Sequence, residues 1–132
     1  MLDPRYVTGL VEGAGSFTYS RSSRSLTLYF ALRLSRRDQD LLARLQEFFG
    51  VGRTYPVASG LYFRVSRQDE LRRIVDHFDR FPLVSHKLAQ YLLWREMVEL
   101  KSHFRHASAD RLQKLEELAR RLSALGGGAR RR

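Results

Sequence analysis

Three patterns in the 132-residue sequence predict an α+β fold: a four-stranded antiparallel sheet with helices on one face, in the order αββαββα plus C-terminal helices. Short stretches alternate apolar and polar residues with a period of two, the signature of half-buried strands. Between and after them, apolar residues recur every three or four positions, as on amphipathic helices. The alternating stretches also carry a one-sided charge. Residues 16–37 hold five arginines and residues 52–67 three more, with no acid in either.

The first helix opens at Asp3-Pro4, an N-cap followed by proline at N1, and is expected to run to about Gly13. Ser16 to Ser20 alternates as a strand, and Arg21-Ser-Ser-Arg-Ser25 reads as a polar hairpin turn. In the next strand Leu26, Leu28, Phe30, Leu32 and Leu34 face inward, while Thr27, Tyr29, Ala31, Arg33 and Ser35 face out. Asp38 opens a second helix, with Leu41, Leu42, Leu45, Phe48 and Phe49 on one stripe and Gly50 as its C-cap. Gly52 to Pro56 forms a short strand, and a turn around Ser59-Gly60 leads into Leu61 to Ser66. There Phe63 and Val65 point inward, Tyr62 and Arg64 outward. Leu71, Ile74, Val75 and Phe78 mark a third helix ending near Phe81-Pro82. Residues 86–104 read as a deeply buried helix. Ser108 caps a last one carrying Leu112, Leu115, Leu118, Leu122 and Leu125. The domain is expected to span 1–125, with 126–132 a flexible Gly/Arg tail.

Composition narrows the function. With 24 Lys+Arg against 14 Asp+Glu the net charge is +10 and the pI about 10.8, which calls for a polyanionic partner. Eight of those charges sit on the strand-rich segments, so a sheet laid against a phosphate backbone is the simplest reading. A membrane surface is the weakest, because that role favours a basic amphipathic helix. The absence of cysteine excludes disulfides, a thiol nucleophile and Cys-ligated zinc. His103-x-x-His106 lacks a third ligand, and His77 and His86 are expected to pack or face solvent. No apolar run approaches the roughly 20 residues of a membrane span, and no signal-peptide pattern opens the chain. The expected location is intracellular, in the cytoplasm.

Val7-Thr-Gly-Leu-Val-Glu-Gly-Ala-Gly15, followed by Ser16-Phe17, resembles the motif of the LAGLIDADG homing endonucleases, commonly G-(F/L)-(I/V)-D-(G/A)-(D/E)-G-S-F. Gly15 is expected to ease the turn from this helix into the first strand. Arg37 to Leu45 with Phe48 to Tyr55 is similar to the family's second helix and third strand. His77 to Leu83, Lys87, Tyr91 to Trp94 and Val98 to Leu100 are similar to its C-terminal helices. The likeness runs from about residue 4 to 125 and contains one copy of the motif.

The resemblance implies a nuclease of intron or intein mobility that hydrolyses phosphodiesters with Mg²⁺. It also implies a homodimer on long, nearly palindromic duplex DNA. The dimer would meet through residues 4–14, with Tyr6, Gly9, Leu10 and Gly13 at the interface. Thr18, Ser20, Arg24, Thr27, Tyr29, Arg33, Tyr55, Tyr62, Arg64 and Ser66 would face bases, and Arg21, Arg36, Arg37 and Arg67 phosphates, with Arg53 on the same face. The family's metal-binding acid precedes the last motif glycine. Here that position is Ala14, whose methyl group cannot bind a cation. Glu12 lies roughly 200° around the helix from it, and the Gly13 carbonyl brings no net charge. Weak Mg²⁺ binding and little or no cutting are therefore expected. Lys87 matches a basic residue placed near the reacting phosphate. Leu34 stands where many members have a water-organising residue, leaving Ser35 or Arg36 as substitutes. The alternative function is a non-catalytic DNA-binding regulator or an intron-RNA splicing helper, for which exposed Tyr29, Tyr55 and Tyr62 offer stacking surfaces.

Overall fold

The structure, a computed structural model, describes residues 1–23, 25–102 and 109–126. Its elements follow the predicted order: α1 (Pro4–Ala14), β1 (Gly15–Arg21), β2 (Leu26–Leu34), a 3₁₀ turn (Arg36–Asp38), α2 (Gln39–Phe49), β3 (Arg53–Val57), β4 (Gly60–Val65), α3 (Gln68–Arg80), α4 (Lys87–Ser102) and α5 (Ala109–Ala124). Arg24, His103, His106 and Ser108 lie outside the described residues, as does 127–132.

The strands form one antiparallel sheet in the order β1-β2-β4-β3. The two hairpins join through β2 and β4, with Phe30 opposite Val65 and Leu32 opposite Phe63. The period of two thus survives across the sheet, because a register slip by one residue would turn the whole apolar set outward. Phe17, the residue after the motif's last serine, is fully buried at the centre of the core. Its ring lies 5.1–5.4 Å from those of Phe30, Phe78, Tyr91 and Trp94, joining β1 to β2, α3 and α4.

Helix ends follow local chemistry. Asp3 caps α1 by accepting from the Arg5 N–H, as expected. Gly50 ends α2 in the left-handed region (φ 72°), which glycine adopts without a Cβ penalty. The start of α2 differs from expectation. Asp38 makes no side-chain cap there; Ser35 caps the preceding 3₁₀ turn by accepting from Arg37 N–H at 3.1 Å. A second difference concerns α5, where Leu115, Leu118 and Leu122 are buried but Leu112 and Leu125 are exposed. Helix α5 packs on α4 and leaves the side chains of Leu112, in its first turn, and Leu125, just beyond its last residue, uncovered.

Candidate nucleic-acid interface and motif helix

The sheet's inner face is closed by helices, and its outer face is polar and basic. Register places the outer side chains in rows across the strands. Ser16, Ala31, Arg64 and Arg53 form one row, and Arg33, Tyr62 and Tyr55 the next. On the other side of the first row, Thr18 stands opposite Tyr29 and Ser20 opposite Thr27. The small Ala31 leaves room for Arg64 to reach diagonally, and its guanidinium carbon sits 3.8 Å from the Tyr29 ring centroid. Arg33 lies 5.6 Å from the Tyr62 ring in the same way. Such cation–π contacts hold an arginine in place without neutralising it. Burial, reinforced by the neighbouring Tyr29 phenol, raises the pKa of Tyr62, so it stays a neutral donor and acceptor. Tyr55 is 42% exposed at the sheet edge.

The arginines divide into two groups. Arg33, Arg37, Arg53 and Arg64 have no acidic partner among the described residues. Arg21 pairs with Glu116 of α5 at 2.7 Å, and Arg67 with Asp69 and Glu70 at the start of α3. Arg36 donates to the Val57 carbonyl at 2.8 Å, bracing the second hairpin. Acid-free segments in sequence are therefore only partly acid-free in space. Thr18 also differs from its expected accessibility. It is on the outer face but only 6% exposed, and its hydroxyl has no hydrogen-bond partner. A short threonine beside the Tyr29 ring cannot stand clear of it. Ser66, directly after β4, is half-buried.

Helix α1 has two faces. Val7, Thr8 and Val11 are buried. Thr8 donates to the Phe81 carbonyl at 2.8 Å, so its oxygen must accept from Nε2 of buried His77, 3.0 Å away. Burial among Phe48, Phe49, Phe78 and Phe81 lowers the His77 pKa to about 4, which keeps the ring neutral. The opposite face is bare. Tyr6 is 48% exposed, Leu10 is partly exposed, and a Cβ at Gly9 or Gly13 would meet nothing within 4 Å. The backbone of Gly15 is ordinary extended chain, so the turn into β1 does not itself call for glycine. Glycine is required there for another reason: a Cβ would fall 2.6 Å from Val11 Cγ1.

At the end of α1 the chain meets the start of α4. Lys87 Nζ donates to the Gly15 carbonyl at 2.5 Å. Burial lowers its pKa, and the nearby Glu12 charge opposes that shift. Glu12 points away from Ala14, accepting from Val84 N–H at 2.5 Å, from Ser85 N–H at 3.3 Å and from the Ser85 hydroxyl. Burial alone would raise its pKa; these bonds and the Lys87 charge more than reverse that, so the net shift is downward.

The profile of the LAGLIDADG endonucleases matches residues 7–98, from α1 into α4. The chain belongs to the LAGLIDADG endonuclease family. It is 32% identical over 115 residues to an uncharacterized 50.9 kDa protein in ND4 intron 1 of Podospora anserina, covering 80% of this chain and 26% of that protein. It is 26% identical over 124 residues to probable intron-encoded endonuclease 3 of Neurospora crassa, covering 86% and 23%. Among solved structures it superposes on the LAGLIDADG meganuclease I-AabMI bound to uncleaved DNA with a TM-score of 0.87, at 26% identity, over 93% of this chain and 45% of that one. The match to I-CpaMI bound to uncleaved DNA has a TM-score of 0.83 at 28% identity, over 90% and 43%. The chain thus spans about a quarter of those intron-encoded relatives and under half of those meganucleases.

LAGLIDADG endonucleases use a divalent metal, and the residues present here do not fit one. Ala14, at the end of the motif helix, offers only a methyl group, and the Glu12 carboxylate already accepts from three donors. Among the described residues no cluster of three or more His, Asp or Glu is placed to hold a cation. Lys87, by contrast, is brought to the end of the motif helix, next to the glycine that follows Ala14. Leu34 is half-buried at the end of β2. Sequence reasoning misses the role of Glu12 in holding Val84 and Ser85, since it links groups 72 and 73 residues apart. Only the Ser85-x-Lys87 spacing, a helix N-cap pattern, hints at it.

Proposed function

We propose that this chain is the DNA-recognition unit of a homing endonuclease, acting as a homodimer on a long, nearly palindromic duplex, and that Ala14 leaves it able to bind without cutting. The observation that carries the reading is the outer face of the sheet. Its arginines without acidic partners are interleaved with tyrosines and hydroxyls, at spacings that suit a major groove. Arg33 and Arg64 are the best placed to take guanine edges, and Arg37 and Arg53 to take phosphates. The bare face of α1 suits a second copy, which would extend the sheet into a saddle. DNA-bound meganucleases of the same fold, roughly twice this chain's length, support that arrangement by analogy.

Phosphodiester hydrolysis would need a carboxylate-held cation at position 14, and no step of that kind is available to this chain. Lys87 is left as a cation for a phosphate oxygen near Gly15. The test is to compare the chain with its Ala14→Glu variant in Mg²⁺ on a randomised duplex library and sequence the cut ends. Site-specific cutting by Ala14→Glu alone is expected. If neither protein cuts while the chain enriches a binding sequence, the reading gives way to a DNA-binding regulator. Preference for structured RNA over duplex would instead support a splicing role.

A further inference from the structure

We propose that Glu12 is a positioning residue, which holds the loop before α4 so that Lys87 is fixed against the end of the motif helix. The inference rests on the reading above only for what Lys87 does; the positioning itself stands on the geometry. The contacts form a closed ring. The Glu12 carboxylate accepts from Val84 N–H, Ser85 N–H and the Ser85 hydroxyl. The Ser85 oxygen accepts from Lys87 N–H at 3.1 Å, and Lys87 Nζ returns to the carbonyl of Gly15, three residues after Glu12.

Glu12 is not simply a cap for α4. The first free N–H of that helix, on Lys87, is already taken by Ser85, and the Leu88 N–H is taken by the Ser85 carbonyl. The N–H groups bound by Glu12 belong to the two residues before the helix cap is complete. Because the one hydroxyl proton of Ser85 goes to Glu12, its oxygen is free to accept from Lys87. Apolar packing does not hold this loop. Leu83 is buried, but Val84 is 87% exposed and His86 is exposed, so nothing apolar pins the chain between Leu83 and α4. A carboxylate with three donors supplies charge-assisted bonds, which are shorter and stronger than neutral ones.

The chain has only three lysines, Lys87, Lys101 and Lys114, which makes the test selective. With ¹⁵N-labelled lysine at low temperature, ammonium cross-peaks are expected for Lys87 and Lys101. Both donate to backbone carbonyls, Lys101 to that of Leu26 at 2.6 Å. Glu12→Ala is expected to abolish the Lys87 peak and leave that of Lys101. Glu12→Gln, whose side-chain oxygen still accepts, is expected to retain it in part. Ser85→Ala should also remove the Lys87 peak alone, and it decides the matter if Glu12→Ala does not fold. An unchanged Lys87 peak in Glu12→Ala, or loss of both peaks together in Ser85→Ala, overturns the proposal. In the Ala14→Glu background, Glu12→Ala should further slow cutting about 10- to 100-fold, the usual cost of removing an outer-shell partner. If Ala14→Glu does not cut, the endonuclease reading fails, while the lysine spectrum still decides the role of Glu12.

Discussion

Single residues in this domain are set by what stands next to them, and His77 is the clearest case. Its ring is neutral because burial lowers its pKa to about 4, against about 6.5 in the unfolded chain. Below pH 6.5 the unfolded state therefore binds a proton that the folded state does not. Stability is expected to fall as pH drops from 6.5 towards 4, by up to about 1.4 kcal/mol per pH unit from this group. Carboxylates with lowered pKa, such as Glu12 and Asp79, add their own loss at the acid end. Denaturant titrations of the chain and of His77→Gln at several pH values separate the two, because only the histidine slope disappears. Gly15 makes a second residue-scale prediction. A Cβ there would collide with Val11 Cγ1 in a packed core, so Gly15→Ala should cost about 1–3 kcal/mol in a thermal or urea melt.

Helix α1 carries one demand on each face. The buried face is committed to the fold through Val7, Val11 and the Thr8–His77 bond, and cannot vary freely. The other is open, so side chains added there do not touch the fold. Gly9→Leu and Gly13→Leu should therefore abolish self-association and melt like the parent diluted below its dimer dissociation constant, because only the stabilisation that association adds is lost. Sedimentation velocity is expected to return the 15.4 kDa protomer for these variants and a larger species for the parent. A parent that sediments as a protomer at micromolar concentration would remove the dimer from the proposal. The strands divide in the same way. β2 and β4 are central and carry the core on one side and Tyr29, Arg33, Tyr62 and Arg64 on the other. Arg64→Ala is expected to cost about 1–3 kcal/mol of binding and to relax specificity at one position per half-site.

At the scale of the whole molecule, charge governs. The net charge is +10, and Arg33, Arg53 and Arg64 stand on the outer face of the sheet without acidic partners among the described residues, so binding to duplex DNA should weaken steeply with salt. Replacing Arg37 or Arg53 by Gln should lower the slope of log K against log salt by about one for each phosphate left without its arginine, hence about two per dimer, and weaken all sequences alike. Arg21→Gln and Arg67→Gln should change the slope less, because Glu116, Asp69 and Glu70 already hold those charges. Filter binding across a salt series distinguishes the two groups.

Much of this is legible in the chain itself. The strand faces, the caps at Asp3 and Gly50 and the motif from Gly9 to Phe17 depend on spacing along a few residues, and local backbone geometry reads that spacing directly. The bare face of α1 follows from the same rule, since two glycines four apart lie on one side of a helix. The absence of an acid at Ala14 needs no structure at all. Other features need the fold, because they join groups far apart in sequence. Only tertiary contact paired Arg21 with Glu116, sealed Thr18 against solvent, stripped the charge from His77 and brought Glu12, Ser85 and Lys87 into one ring with Gly15. Periodicity records which face a residue occupies. Only packing determines which neighbour it meets there, and so whether its charge or hydroxyl is left for a partner.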